Sequence, residues 1–272
     1  MKKIIVYSLW AIAIILIIAA SFFARHLYQN RVCKDVKIII DYGKGLNESE
    51  QFITYEDIQE FINQGFNKLK GNKIKDINIE RLELQISKMA FVLQADASVE
   101  MDGTVNILIK QRRPILRIIN FRGENYYIDE TGTILPGRAG YSSRVVSANG
   151  FVDDSLFNKE KTCVTKSDSL LKKTTLGKLY QIARVIDADT FLRQEIVQIF
   201  VNERREFEMI PLVGDHLIQF GNASEIQEKF WKLKQFYTKG IYMGGWDSYK
   251  TINLKYKDQI VCTKKNYNYG IQ

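Results

Sequence analysis

The stretch Phe91–Pro114, "FVLQADASVEMDGTVNILIKQRRP", decides the fold. On its first arm Ala95, Ala97, Val99 and Met101 alternate with Gln94, Asp96, Ser98 and Glu100. On its second arm Val105, Ile107 and Ile109 alternate with polar or edge positions. A period of two places each set on one face of an extended chain. Asp102 and Gly103 stand between the arms, a pair that tolerates positive φ and suits a two-residue turn. The reading is an antiparallel hairpin with one buried face, ended by Pro114.

Toward the N-terminus the periodicity changes. "IERLELQISKMA" carries Leu82, Ile86 and Met89 on one helical side, and "KIKDINIE" before it reads as a short strand. "TYEDIQEFINQGF" has Thr54 as N-cap and Asp57 three residues on, close to a capping box. Its Ile58, Phe61, Ile62 and Phe66 recur at helical spacing. A polar loop, "GKGLNESEQ", separates it from the β-branched strand "CKDVKIIIDY". The order over residues 35–114 is therefore β-α-α-β-β, an open α+β unit with helices over one sheet face.

Toward the C-terminus, residues 115–257 read as a second, β-rich mixed domain with helices on one face. "ILRIINF", "NYYIDETGTILP" and "RVVSANGF" are short strands punctuated by glycines, and Asp153–Ser169 is a long polar loop. One helix follows, with Leu176, Leu179, Ile182, Ala183 and Ile186 in phase. The strands "EIVQIFVN", "EFEMIPLV" and "HLIQFG" come next, then a helix carrying Ile226, Phe230, Leu233, Phe236 and Tyr237. "SYKTINLKYKDQIVCTKK" closes the chain, with Ile252, Leu254 and Tyr256 alternating with Asn253, Lys255 and Lys257. Residues 258–272 read as the strand's end and a frayed tail.

At the other extreme, "IIVYSLWAIAIILIIAASFFA", Ile4–Ala24, holds no charge over 21 positions. As a helix it measures about 30 Å, the thickness of a bilayer core. It follows a tip of residues 1–3 and precedes a linker of residues 25–34. A cleaved signal peptide is the competing reading, but its apolar region spans only about 7–15 residues, so a retained anchor is favoured. Lys2 and Lys3 precede the run, whereas Arg25, Arg31, Lys34 and Lys37 follow it. That is a weak vote against export of the C-terminal part, and large domains override such votes. The formal charge is +8, much of it in the nine Lys and two Asp from Lys229 onward. A solvated lysine-rich face explains this without nucleic acid, which asks for arginines and aromatics on one platform. Cys33, Cys163 and Cys262 lack C-x-x-C spacing, which leaves one bridge, Cys163 to Cys262, or none.

Catalytic candidates are few. His26 lies at the edge of the apolar run, so His216 is the one usable histidine and two-histidine metal sites are excluded. No phosphate-binding loop or nucleophile elbow occurs. A Cys163–His216 pair lacks an orienting third group. Asp215 precedes His216, but neighbours on a strand point to opposite faces. Gly214, Asp215 and His216 therefore read as the turn joining "EFEMIPLV" to "HLIQFG". No catalytic, cofactor or metal residue is assigned.

With these segments in place, the chain resembles the FtsQ/DivIB cell-division family. The short tip with one span carries the match, with the β-α-α-β-β unit, which looks like a POTRA domain. "RLELQISKMAFVLQADASVEMDGTVNILIKQRRPILRI" and "YYIDETGTILP" are similar to family runs. So is the glycine turn and helix of "PLVGDHLIQFGNASEIQEKFWKLKQFY". The tip is shorter than family members use to reach cytosolic proteins, and Asp153–Ser169 has no family counterpart. The resemblance implies a non-catalytic divisome scaffold, single-pass in the inner membrane, with its N-terminus cytoplasmic and its other domains periplasmic at the septum. It implies FtsB-like and FtsL-like membrane partners, bound by adding a strand to the last strand of the second domain, and no nucleic acid, substrate or cofactor. "NLKY", Asn253–Tyr256, is similar to the family's "dlRY" there. Tyr249, Ile252, Leu254, Lys255, Tyr256 and Lys257 are the expected partner contacts. A POTRA-bearing envelope assembly or translocation factor, or a membrane-anchored hydrolase or transpeptidase, remain as alternatives.

Overall fold

The computed structural model describes residues 2–29, 31–43, 50–66, 68–152, 163–240 and 245–265, with the side chains of 2–6, 8, 9, 24, 26–29, 240 and 246 outside that description. Met1, most of the expected 153–169 loop and the tail beyond Lys265 thus lie outside the described residues. Two compact units divide the chain between Gln111 and Arg112, with Glu50 counted in the second.

Helix α1 (Lys2–Gln29) covers the apolar run. Trp10, Leu16, Ile17, Phe22 and Phe23 are exposed on all its sides, with none of the described residues covering them. Among the described residues, no helix is long and apolar enough to cross a membrane. A crossing takes about 20 consecutive apolar residues, and side chains are described without a break only from Trp10 to Phe23.

The rest of the first unit runs β1 (Asp35–Asp41), α2 (Tyr55–Gly65), α3 (Ile79–Ile86), β2 (Val92–Val99) and β3 (Thr104–Gln111). Its sheet has the order β1-β3-β2, with β1 parallel and β2 antiparallel to β3. Both helices lie on one face because Ile58, Ile62, Leu82 and Ile86 must share a core with Val105, Ile107 and Ile109. Each such side chain withdrawn from water contributes roughly 1.5–3 kcal/mol. Thr54 caps α2 with a complete capping box: its hydroxyl accepts from Asp57 N at 3.3 Å and its own N–H donates to the Asp57 carboxylate at 2.8 Å.

Two sequence expectations for this unit need correction. "KIKDINIE" is not a strand: Ile74–Asp76 is one 3-10 turn, and among the described residues a single bridge, Val32 to Lys73, is all that pairs with the segment. The hairpin turn has three residues, not two. Glu100 N–H bonds the Thr104 carbonyl at 2.8 Å and Gly103 takes φ +95°, so Met101 leaves the alternation and stands 81% exposed at the tip. Asp102 holds that geometry by accepting from Thr104 N at 2.8 Å and Thr104 Oγ1 at 3.0 Å.

The second unit contains β4 (Pro114–Ile119), β5 (Asn125–Asp129), β6 (Ile134–Pro136) and β7 (Val146–Gly150). Helices α4 (Asp168–Lys173), α5 (Thr175–Ala188) and α6 (Thr190–Glu195) lead to β8 (Ile196–Val201), β9 (Phe207–Pro211) and β10 (Leu217–Gly221). Helix α7 (Ile226–Gln235) then precedes β11 (Tyr249–Asn253) and β12 (Val261–Lys264). Among the described residues these strands form one nine-stranded sheet, β12-β11-β10-β9-β8-β7-β4-β5-β6. The parallel pairs β7/β8 and β10/β11 require crossovers, which α4–α6 and α7 supply. Both crossovers step the same way across the sheet, so right-handedness puts their helices on one face. There Leu179, Ile182 and Ile186 of α5 and Phe230 and Leu233 of α7 share a core with Ile118, Ile199, Ile218 and Ile252.

The sequence pattern did not separate α6 from its neighbours; Asp189 starts it by accepting from Leu192 N at 3.1 Å. The largest departure is at the C-terminus. "SYKTINLKYKDQIVCTKK" is not one edge strand but a hairpin, in which β12 runs antiparallel to β11.

Candidate functional site

Sheet edges are where a fold of this kind can recruit another chain, because their N–H and C=O groups lack partners. In the first unit, β2 has its outer edge blocked: Ala97 N–H donates to Glu83 of α3 at 2.6 Å. In the second unit the β6 end is also blocked. Thr133 bridges to Cys163, Val164 N–H bonds the Gly132 carbonyl at 2.8 Å, and the strand stops at Pro136. The other end of the same sheet is β12, which has no strand beyond it among the described residues.

The geometry of that end is set by pairings on both sides of β11. Ile218 and Gln219 of β10 face Ile252 and Asn253, and Asn253 and Ile252 face Val261 and Cys262 of β12. The expected contact residues therefore fall into two groups. Ile252 and Leu254 are fully buried in the helix-side core, so they place the strand and present nothing outward. Tyr249 is half-buried with its ring 5.3 Å from Phe236, edge to face. Tyr256 is half exposed and Lys255 and Lys257 are exposed. Lys255 Nζ pairs with Glu206 at 3.3 Å, and its stem lies over Gly221, where an added Cβ would come within 2.6 Å of it.

Two lysines of α7 that the sequence pattern does not distinguish from solvated ones hold this end in place. Lys232 is buried and donates to the Tyr256 carbonyl at 2.7 Å. Lys229, also buried, donates to the Asn222 carbonyl at 2.8 Å and lies 4.9 Å from the Phe220 ring centroid, and burial lowers its pKa. At the far end, Lys265 N–H bonds the Ser248 carbonyl at 2.9 Å, and its ammonium meets Asp215 at 3.0 Å.

That last contact settles the Asp215–His216 pair. The Asp215 carboxylate is 94% exposed and turned toward Lys265, whereas His216 is buried with Nε2 2.8 Å from the Tyr237 hydroxyl. The two do not form a dyad. Gly214, at φ +87°, makes the turn, and His216 belongs to the core beside it rather than to the turn. Replacing His216 with alanine is expected to cost about 1–3 kcal/mol of stability, since the Tyr237 hydroxyl loses its partner in the core. Thermal unfolding should show that loss, and an unchanged Tm would contradict it.

Near that pair, Glu195 is 7% exposed and its Oε1 has no hydrogen-bond partner among the described residues. Burial raises its pKa, and burial together with the charge of Glu195 raises that of Tyr237. The folded state thus holds the Glu195 proton more tightly than the unfolded chain. This carboxyl's contribution to stability falls as pH rises from the ordinary carboxylate value through the raised folded one. Glu195→Gln should raise the Tm at about pH 8 and lose that advantage near about pH 4. A variant with equal gains at both would contradict this.

Cys33 is a buried free thiol, and Cys163 and Cys262 are half-buried free thiols. Cys163 Sγ is 2.8 Å from Thr165 Oγ1 and 3.4 Å from the Thr131 carbonyl. Among the described residues no group of three His, Cys, Asp or Glu side chains is placed to hold a metal ion. What the C-terminal edge offers chemically is main-chain hydrogen bonding flanked by lysines and a tyrosine.

A β-α-α-β-β unit followed by a long sheet is the architecture of a POTRA-bearing protein. Residues 31–110 match the family model of the POTRA-like domain. Residues 113–263, more than half the chain, match the model described as FtsQ/DivIB, C-terminal related. The chain belongs to the FtsQ/DivIB family, whose members have a cell-division scaffold role and are generally not enzymes. No curated protein matches it significantly.

Proposed function

We propose that this protein is a non-catalytic divisome scaffold that binds FtsB-like and FtsL-like membrane proteins and so recruits and regulates septal cell-wall synthesis. In this reading α1 is a single inner-membrane anchor, and both units lie outside the cytoplasm. The partner adds a strand at the C-terminal edge of the nine-stranded sheet. The observation that carries this is the outer edge of β12, which is open among the described residues, at the end of a sheet whose opposite end is flanked by the Thr133–Cys163 bridge.

The edge differs from the expected one in a specific way. β11 is flanked by β10 and β12, so the strand that accepts the partner is β12, with Tyr256 and Lys257 in the loop that joins the two strands of the hairpin. Strand addition supplies affinity through main-chain bonds and specificity through alternate side chains. Exposed Lys255, Lys257 and Lys264 favour an acidic partner segment. The anchor reading is supported by the uncharged 21-residue run and by apolar side chains exposed on every side of α1.

A fluorescent fusion to the N-terminus, combined with alkaline phosphatase at the C-terminus, tests the proposal. Mid-cell rings with active phosphatase are expected. Diffuse fluorescence would overturn the septal role, and inactive phosphatase would overturn the topology.

A further inference from the structure

Resting on the reading of α1 as a membrane anchor, we propose that the end of the first unit beside α1 binds anionic phospholipid headgroups. The segment "KLKGNKIK", Lys68–Lys75, places four lysines in eight residues with no acid among them. All four are exposed. The segment is fastened to the chain just leaving α1: Cys33 N–H bonds the Asn72 carbonyl at 2.8 Å, Gly71 N–H bonds the Cys33 carbonyl at 2.9 Å, and Ile74 N–H bonds the Arg31 carbonyl at 2.9 Å. The 3-10 turn Ile74–Asp76 also touches α1 itself.

The tip of the β2–β3 hairpin comes to the same end. Lys34 N–H bonds the Gly103 carbonyl at 3.1 Å, Arg31 donates to the Met101 carbonyl, and the Met101 side chain stands free in solvent. An exposed methionine among lysines, next to an apolar helix, has the composition of a surface that meets a bilayer interface. Acids are present there too: Asp35, which pairs with Lys70 at 3.1 Å, Glu100 and Asp102, each keeping its charge. With Asp76 counted, Arg31, Lys34 and the four lysines still leave an excess of positive charge.

Geometry makes this excess relevant. From Gln29 to Val32 the chain reaches at most about 10 Å. That is about one Debye length at physiological salt, so charges tied to residues 31–33 feel a surface at the end of α1. The proposal also accounts for the basic residues after the apolar run, which count against export in a simple charge comparison. On this reading they serve headgroups on the outer leaflet.

The test uses the full chain in nanodiscs of phosphatidylcholine, with and without phosphatidylglycerol, and follows amide exchange in residues 68–76. Each lysine near an anionic surface is worth about fivefold in occupancy. Exchange should therefore slow several-fold in the anionic discs, recover in high salt, and show no lipid dependence in K68Q/K70Q/K73Q/K75Q. Because all four side chains are exposed, unchanged exchange in β3 will confirm that this variant is folded. Equal exchange in both lipids overturns the proposal, as does slowing by inorganic phosphate in phosphatidylcholine discs, which would mark a free-anion site. A chain that fails to enter the discs overturns the anchor reading as well; a chain that enters and ignores lipid charge overturns this inference alone.

Discussion

Replacing Asp129 with alanine is expected to destabilise the second unit by about 3–5 kcal/mol, because it removes the buried carboxylate that Arg112 and the turn's N–H groups share. The Asp129 side chain is 1% exposed and Arg112 is 17% exposed, with 2.7 Å between Arg112 Nη1 and Asp129 Oδ2. The other carboxylate oxygen accepts from Thr131 N at 2.9 Å, Thr131 Oγ1 at 2.7 Å and Thr133 N at 2.8 Å. One side chain therefore closes the turn between β5 and β6 and neutralises the first residue of the unit. This is the physical content of "YYIDETGTILP": the acid is needed at the start of the turn because the turn's N–H groups converge on it, and Gly132 at φ +88° lets the chain come round. Asp129→Asn keeps an acceptor for the turn but removes the charge, so it should cost roughly half as much. Denaturant unfolding of the full chain, followed by amide exchange in β4 and β5, measures both. A loss below about 1 kcal/mol for the alanine variant would refute this account.

Lys264→Pro is expected to weaken co-purification of the FtsB-like partner by about 10–100-fold, the worth of one unmet main-chain bond. Lys265 N–H points to Ser248 on the β11 side. By the two-residue period of a strand, the N–H of Lys264 faces outward, where a partner strand would lie. Proline deletes that donor without touching the ladder to β11. Lys264→Gln, which keeps the N–H, should bind within a few-fold of the parent, losing only rim charge. Tyr256→Glu gives an independent arm, adding negative charge beside a segment expected to be acidic. If the proline variant, folded by its Tm, still retains the partner, addition at β12 is wrong.

Local patterns made much of the first unit legible. Thr54 and Asp57 announced the start of α2, and Ile58, Ile62, Leu82 and Ile86 announced the faces that α2 and α3 bury. Both signals lie within one or two helical turns, so no distant residue is needed to read them. The 3-10 turn at Ile74–Asp76 was misread because an alternating short segment looks like a strand until a pairing partner is sought. Met101 was misplaced for a related reason: a third loop residue shifts the alternation by one, and only the Glu100–Thr104 bond reveals it.

The candidate site was legible in location but not in layout. The periodicity of "TINLKY" marks a half-buried strand, and Ile252 and Leu254 do face the core. Which strand stands at the edge depends on where residues 261–264 return, and nothing within "TINLKY" encodes that return. The buried roles of Lys229, Lys232 and Glu195 were equally invisible, since a buried lysine or glutamate is written with the same letter as a solvated one. Their burial comes from α7 and α6 packing over the sheet.

By itself, the sequence determined the uncharged N-terminal run, the β-α-α-β-β order, the cap of α2 and the family, all carried by neighbours a few positions apart. The tertiary structure alone decided the order of the nine strands, the burial of His216 against Tyr237 and the promotion of β12 to the edge left open among the described residues. Strand neighbours are chosen by crossover handedness and by burial of faces from distant segments, and a two-residue period states which face a strand buries but not which strand lies beside it.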